Sequence, residues 1–278
     1  MMLNGETRII AHVGYPTTTF KSPMIYNPWF EAHAINAAVV PMGVRGEDFT
    51  RAFPEIARFT NFHGALITMP HKVSVIALID EVSTAVKVAG SCNAVRRTED
   101  GRLIGDMFDG EGFVRGVAHN GATLAGKRLL IVGTGGVGSA IAASSAAAGA
   151  AEIALYDVNA ASMGALADRL KSSYPDLSVS VGSNDPAGFD VAVNATPLGM
   201  APGDPMPLDV ARLAPSTYVG EVVLKHETTA FLAAAKARGC RTQIGVDMLF
   251  EQIPAYLEFF GFPKATPEEL RGVAQIDY

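Results

Sequence analysis

The sequence predicts an α/β fold with two domains, and three observations support this prediction. The chain has 278 residues, which is enough for two domains of ordinary size. Short apolar segments that suit β-strands alternate with segments of helical periodicity, a pattern typical of parallel strands joined by crossover helices. A glycine-rich turn near the middle of the chain links one strand candidate to a helix, as in doubly wound sheets.

The first domain, residues 1–110, is expected to hold both strands and helices. Its strand candidates are 7–14, 37–44 and 64–70. Apolar residues recur every three or four positions in EDFTRAFPEIARF, which predicts a helix. A second helix is predicted in KVSVIALIDEVS, after Pro70. The segments NAVRR and RLIGD, joined by TEDG, predict a β-hairpin.

The second domain, residues 111–246, is expected to form a doubly wound sheet. Its strand candidates are 127–133, 152–157, 178–182, 189–195, 217–223 and 241–245. Helical segments fill most of the gaps between them, which predicts a parallel sheet covered by helices. The last segment, 247–278, begins with the amphipathic VDMLFEQIPAYLEFFG and leads to no further strand. We therefore expect it to pack back on the first domain.

The composition indicates a globular protein, with 49% hydrophobic and 18% charged residues. A net charge of −6 without clusters of Lys and Arg argues against nucleic acid as the main partner. The N-terminus has no apolar signal core, and no apolar stretch reaches the ~18 residues of a membrane span, so we expect a cytoplasmic protein. We also expect it to be a monomer or homodimer. Cys92 and Cys240 are far apart and outside metal-type spacings, so we expect reduced thiols and no metal site.

The segment LLIVGTGGVGSA predicts a site for NAD or NADP. It places Gly133, Gly135, Gly136 and Gly138 between a strand and a helix, where glycines let the backbone approach a pyrophosphate. A glycine turn that serves packing alone is the alternative. A P-loop is excluded, because no Gly-Lys-Ser/Thr follows the glycines.

Asp157 ends the next strand candidate and is expected to read the cofactor. A carboxylate at this position can accept hydrogen bonds from the ribose hydroxyls and would repel a 2′-phosphate. Val158 and Asn159 follow it, and no arginine lies close behind. The sequence therefore favours NAD over NADP.

Seven motifs in order along the chain resemble those of the shikimate/quinate dehydrogenase family. Besides the glycine loop they are GYPTTTFKSP, GALITMPHK, GSCNAV, GDMFDGEGF, NATPLGM and IGVDMLFEQ. The resemblance implies an N-terminal α/β substrate domain, a Rossmann-type cofactor domain and a role like those of aromatic amino acid biosynthesis. It also implies reversible hydride transfer between a nicotinamide and the ring secondary alcohol of shikimate, quinate or an analogue.

The resemblance also implies roles for individual residues. Lys72 aligns with the catalytic lysine and Asp109 with its aspartate partner. The residues that align with ring-hydroxyl ligands are Thr68, Asn93 and Gln252. Ser22 aligns with the second serine of a pair that binds the substrate carboxylate. The positions that align with the lining of the nucleotide and nicotinamide are Asn194, Thr196 and Gly245.

The chemistry of the residues agrees with these roles and leaves simpler readings open. Oxidation of a secondary alcohol requires a polar group that removes the hydroxyl proton, and Lys72 and Asp109 each follow the end of a predicted strand segment. Lys72 could instead be a solvated lysine, and Asp109 a helix cap. Ser22 before Pro23 could be an ordinary helix N-cap. Asn93 could simply turn the chain before the hairpin strand, and Gln252 could be an exposed residue of the last helix. The histidines are expected to be structural or exposed.

The sequence departs from the family pattern mainly in the substrate pocket. Phe20 replaces the first carboxylate-binding serine, and Leu66 replaces an asparagine. Three further polar positions are apolar here, namely Met107, Phe108 and Leu224. Each lost hydrogen-bond partner costs about 1–3 kcal/mol. We therefore expect a cyclic polyol substrate and poor use of shikimate itself.

Three other functions compete with an NAD-dependent ring-alcohol dehydrogenase. One is an NADP-dependent shikimate 5-dehydrogenase, and another is an NAD-binding sensor without turnover. A folate-type methylene dehydrogenase is disfavoured by the Ser-Pro loop and by the GVDMLFEQ ending.

Overall fold

The computed structural model describes residues 3–225 and 227–276, and its contacts divide this part of the chain into two compact units. The first unit comprises residues 3–87, 91–108 and 253–276. The second comprises residues 88–90 and 109–252. Each unit is built on its own mixed or parallel β-sheet with helices, so the predicted α/β class is confirmed.

The first unit has a mixed sheet of six strands in the order β2-β1-β3-β5-β6-β4. Its strands are β1 (Arg8–Gly14), β2 (Ala37–Gly43), β3 (Phe62–Ile67), β4 (Glu81–Val82), β5 (Ala94–Arg97) and β6 (Leu103–Asp106). Strand β1 pairs parallel with β2 and β3. Strand β5 runs antiparallel to both β3 and β6, which confirms the predicted hairpin.

The helices of this unit are α1 (Pro23–Ala32), α2 (Phe49–Ala57) and α3 (Thr84–Ala89), whose last two residues fall in the second unit. The prediction of a helix in KVSVIALIDEVS is wrong. The segment forms only a 3₁₀ turn over Ser74–Leu78, and β4 follows it. Residues branched at Cβ, such as Val73, Val75 and Ile76, lose side-chain freedom in an α-helix. In addition, β4 gains a parallel pairing with β6.

The second unit has a parallel sheet in the order β12-β11-β10-β7-β8-β9. Its strands are β7 (Arg128–Val132), β8 (Glu152–Tyr156), β9 (Ser178–Val181), β10 (Val191–Asn194), β11 (Tyr218–Glu221) and β12 (Arg241–Gln243). Its helices are α4 (Asp109–His119), α5 (Gly136–Ala147), α6 (Ala160–Ser173), α7 (Ala230–Ala237) and the first half of α8 (Gly245–Phe259). This strand order is that of doubly wound dinucleotide-binding sheets.

The end of the chain belongs to the first unit, as expected. From Ile253 onwards, α8 and the following α9 (Pro267–Val273) are part of that unit. The ring of Phe262 lies 4.9 Å from that of Phe30 in α1, and the Gln275 amide donates to the Met24 carbonyl. These contacts fix the C-terminal segment on α1.

Candidate active site

The glycine loop of the second unit has the geometry that the cofactor prediction requires. Strand β7 ends at Val132, Gly133 has a φ of +100°, and α5 begins at Gly136. A Cβ on Gly138 would lie 1.9 Å from the Gly133 carbonyl oxygen, so only glycine permits this close turn. A Cβ on Gly135 would meet nothing within 4 Å. The loop therefore leaves open space beside the first amides of α5, where a pyrophosphate fits.

Asp157 follows β8 and holds this loop in place. Its carboxylate accepts hydrogen bonds from the Thr134 amide at 2.5 Å, the Thr134 hydroxyl at 3.0 Å and the Asn159 amide at 2.8 Å. Partial burial raises the pKa of this carboxyl, but the hydrogen bonds from Thr134 and Asn159 outweigh it, and the net pKa is lowered. The carboxylate thus has protein partners of its own and is not reserved for a ribose.

Asn194 and Thr196 form a second loop, at the end of β10. The buried Asn194 side chain donates to the Leu198 carbonyl at 2.9 Å and accepts from the Thr196 amide and hydroxyl at 3.1 and 2.6 Å. Both side chains therefore shape the NATPLGM turn. At the predicted position Gly245, a Cβ would lie 2.3 Å from the Val223 carbonyl oxygen, so close packing requires glycine there.

Asp109 and Gln252 are both buried in the second unit, at 4% and 6% exposure. Asp109 is the first residue of α4. Gln252 lies on α8 beside the first turn of α4, because a Cβ on Gly112 would come within 2.7 Å of the Gln252 Cβ. The Oε1 atom of Gln252 is buried without a hydrogen-bond partner among the described residues. An exposed Gln252 is therefore excluded, and its oxygen is available for a ligand hydroxyl.

Thr68, Lys72 and Asn93 come together at the carboxyl end of β3, in the middle of the first unit's sheet. Thr68 follows the carboxyl end of β3, and Asn93 precedes the antiparallel β5, whose start meets that end. The Asn93 carbonyl accepts from the Ile67 amide at 2.8 Å, and the Lys72 carbonyl accepts from the Cys92 amide at 2.7 Å. Ligands bind at this end of the strands in open α/β sheets.

The side chain of Asn93 is only half satisfied. Its Oδ1 accepts from the Phe108 amide at 3.0 Å, but Nδ2 is buried without a partner among the described residues. A buried donor without a partner costs free energy. This favours a role for Asn93 in ligand binding over a role in turning the chain alone. Ser22 lies at the N-cap of α1, yet its side chain makes no capping hydrogen bond. Its hydroxyl is therefore not used as a cap.

Phe20 packs on His12, which the sequence did not indicate as a site residue. The two rings are stacked, with centroids 3.9 Å apart and planes 21° apart. His12 is 6% exposed within β1, and its Nδ1 has no hydrogen-bond partner among the described residues. Burial, and secondly the charge of Lys72, lower the pKa of His12 to about 3, so the ring is neutral at pH 7. The available signal was a histidine inside the apolar strand RIIAHVG.

Two further histidines of this unit, His63 and His71, have structural contacts, as expected. His71 is stacked on Phe49 at 3.9 Å and hydrogen-bonds the Val44 carbonyl at 2.7 Å. His63 hydrogen-bonds the Phe260 carbonyl at 2.6 Å. The histidine prediction therefore fits His63 and His71.

Three of the apolar departures from the family pattern are buried in different surroundings. Leu66 is 4% exposed and stands opposite His12 in the β1–β3 register. Met107 and Phe108 are also buried, and the Phe108 ring packs on Tyr256 and Phe259 at 4.8 and 5.5 Å. Leu66 thus joins His12 on one face, whereas Phe108 belongs to an aromatic cluster.

Among the described residues, no group of three or more His, Cys, Asp or Glu side chains could hold a metal ion. In the same residues, no helix is both long enough and apolar enough to cross a membrane. Both cysteines, Cys92 and Cys240, are buried free thiols.

The fold and the glycine loop are those of α/β proteins that bind a dinucleotide beside a second domain, and comparison with known proteins identifies the family. The family model of the shikimate dehydrogenase substrate-binding domain matches residues 13–95. A shikimate dehydrogenase (NADP(+)) of Acidiphilium cryptum is 34% identical over 99% of this chain and 98% of its own length. The chain therefore belongs to the shikimate/quinate dehydrogenase family, whose members oxidise and reduce CH–OH groups.

Solved structures show the same fold. Shikimate 5-dehydrogenase from Listeria monocytogenes, in complex with shikimate and NAD, has a TM-score of 0.89 at 23% identity and covers 98% of both chains. The ligand-free 5-ketofructose reductase of a Gluconobacter strain has a TM-score of 0.86 at 25% identity, covering 97% of this chain and 98% of its own. The Listeria structure confirms the predicted fold, which combines a substrate domain with a Rossmann-type domain.

The predicted preference for NAD over NADP is contradicted by the relatives. The Acidiphilium enzyme and three further relatives, 30% to 33% identical, are all named shikimate dehydrogenase (NADP(+)). The structure gives the physical reason, because the carboxylate of Asp157 is held by Thr134 and Asn159. The carboxylate at the end of β8 is therefore a poor guide to the choice between NAD and NADP.

Proposed function

We propose that the protein is an NADP-dependent dehydrogenase of a ring secondary alcohol, with shikimate or a related analogue as substrate. The observation that carries the proposal is the unpaired Nδ2 of Asn93. This atom is buried near Thr68 and Lys72, at the carboxyl end of β3, where ligands bind in such sheets. A substrate hydroxyl would give this donor the acceptor that it lacks. The names of the relatives support NADP and a shikimate-like compound.

The glycine loop and the first turn of α5 would hold the pyrophosphate of the cofactor. The bound nicotinamide would supply the acceptor for hydride in the oxidising direction. The N-terminus of α6 begins just after Asp157, with Asn159 as its N-cap. Its dipole partly offsets the carboxylate charge at the end of β8, which supports tolerance of a 2′-phosphate.

The remaining chemistry is assigned to side chains. As the C–H bond of the alcohol gives up hydride, the O–H proton must pass to a base, and the carbon becomes a ketone. We propose that Lys72 carries this proton: as the neutral amine it takes the proton during oxidation, and as the ammonium it returns the proton during reduction. Asp109 is proposed as the second catalytic residue. Thr68, Asn93 and Gln252 are proposed to bind ring hydroxyls, with Ser22 as a further ligand. A cytoplasmic location and the oligomeric state remain predictions.

A spectrophotometric panel tests the proposal. The purified protein is incubated with NADP⁺ or NAD⁺ and with shikimate, quinate or their neutral analogues, and formation of the reduced nicotinamide is followed. We expect turnover of at least one ring alcohol, with a higher kcat/KM for NADP⁺ than for NAD⁺. Tight NADP⁺ binding without turnover of any compound would favour a sensor instead.

A further inference from the structure

His12 occupies a position where the strand itself does not need a histidine. Its neighbours in β1, Ala11 and Val13, are fully buried, and Leu66 faces it across the β1–β3 pairing. Its Nδ1 makes no hydrogen bond to any described residue, so this nitrogen contributes nothing to the fold as a donor or acceptor. The ring instead provides a flat face, which Phe20 covers.

The Phe20 ring is held at the ligand-binding end of the strands. Phe20 follows the short 3₁₀ turn Thr17–Thr19, and it is partly exposed. A Cβ on Gly14 would lie 3.0 Å from the tip of the Phe20 ring and 2.3 Å from the methyl carbon of Thr68. The ring therefore lies next to Thr68, at the end of β3 where the substrate is proposed to bind.

The partly exposed Phe20 ring, backed by the buried His12 and Leu66, forms a surface without charge or hydroxyl at pH 7. His12 is neutral because of its burial and the nearby ammonium of Lys72. Lys21 follows Phe20 in the chain, and Lys72 lies close enough to His12 to lower its pKa. A carboxylate pressed against the face of the Phe20 ring would lose water without gaining a donor from that face. A hydroxylated carbon ring, in contrast, can lay its C–H face on an aromatic ring at little cost.

We propose that the His12–Phe20 stack determines substrate specificity by selecting an uncharged polyhydroxy alcohol or ketone over one that carries a carboxylate at this position. The proposal rests on the proposed function, since it needs the substrate to bind beside Thr68 and Lys72. It adds His12 to the substrate-selecting residues and names the chemical class of the substrate.

Shikimate and its methyl ester test this proposal, because they share one ring and its hydroxyls and differ in the carboxylate charge. Their dissociation constants are measured by calorimetry in the presence of NADP⁺. We expect the wild type to bind the ester more tightly. Phe20→Ser should shift the ratio of the two constants towards the acid by about ten- to a hundredfold, the value of one hydrogen bond to a charged group.

Three further variants separate specificity from folding. Phe20→Tyr keeps the stack and should keep the preference for the ester, whereas His12→Val removes the ring under Phe20 and should weaken that preference. Phe59→Ser makes the same chemical change at an exposed position, 56% accessible, and should leave the ratio unchanged. A general loss of stability would weaken both ligands alike and leave their ratio unaltered.

Three results would overturn the proposal: tighter binding of the acid by the wild type, no binding of either compound, or an unchanged ratio in Phe20→Ser. Tight binding of the acid that disappears in Lys21→Ala would show a charged subsite in its place. Binding is measured separately from turnover, so preference for the ester without NADPH formation supports the specificity proposal and rejects only the proposed activity.

Discussion

Lowering the pH should destabilise the first unit through His12. The pKa of His12 is about 3 in the folded protein and 6.5 as the ordinary value, so the unfolded chain binds the extra proton between these limits. Stability is therefore fully present above pH 6.5 and is lost as the pH falls towards 3. From pH 7 to pH 5, this one group should remove about 2 kcal/mol from the free energy of unfolding.

Urea unfolding followed by tryptophan fluorescence measures this loss in the right unit. Trp29 is the single tryptophan of the chain and is fully buried in the same unit as His12. His12→Val has no titrating ring, so its loss between pH 7 and pH 5 should be smaller than that of the wild type by about 2 kcal/mol. His63 and His71, whose pKa values burial also lowers, contribute equally to both proteins and cancel. Equal losses in the two proteins would refute the assigned burial of a neutral His12.

Two further predictions concern the cofactor loop and the proposed substrate ligands. Gly138→Ala would put a Cβ 1.9 Å from the Gly133 oxygen, so NADPH affinity in a fluorescence titration should fall by at least tenfold. Unfolding reported by Trp29 should stay unchanged, and unaltered NADPH affinity would contradict the assigned cofactor loop. Asn93→Ala removes the unpaired Nδ2 and should raise the KM for the ring alcohol by about tenfold, with the KM for NADP⁺ constant. An unchanged KM for the alcohol would exclude Asn93 as a substrate ligand.

Periodicity and turn chemistry were sufficient to predict most of the fold. The helix in EDFTRAFPEIARF, the hairpin around TEDG and the parallel strands of the second unit were confirmed, because each has a local pattern that its packing reinforces. The helix predicted after Pro70 was wrong, because the apolar residues of this segment suit either a helix or a strand. The pairing of β4 with β6 favours a strand over a helix there, and it joins segments far apart in the sequence.

The site was predictable only where a motif fixes its own geometry. The glycine loop is such a case, because the close approach of Gly133 and Gly138 is local. The stack of Phe20 on His12 joins a loop to a strand interior, and neither residue alone indicates it. Asp157 misled the cofactor prediction, because its hydrogen bonds to Thr134 depend on the folded loop.

The proposed activity is tested most directly by comparing NADPH formation in the wild type and Lys72→Met, with the best ring alcohol of the panel. Methionine keeps a side chain of similar length but has no ammonium group. We predict that the wild type turns over and that kcat falls by at least ~100-fold in the variant, with the KM for NADP⁺ little changed. A Lys72→Met enzyme with the kcat of the wild type would contradict the proposed role of Lys72 in proton transfer.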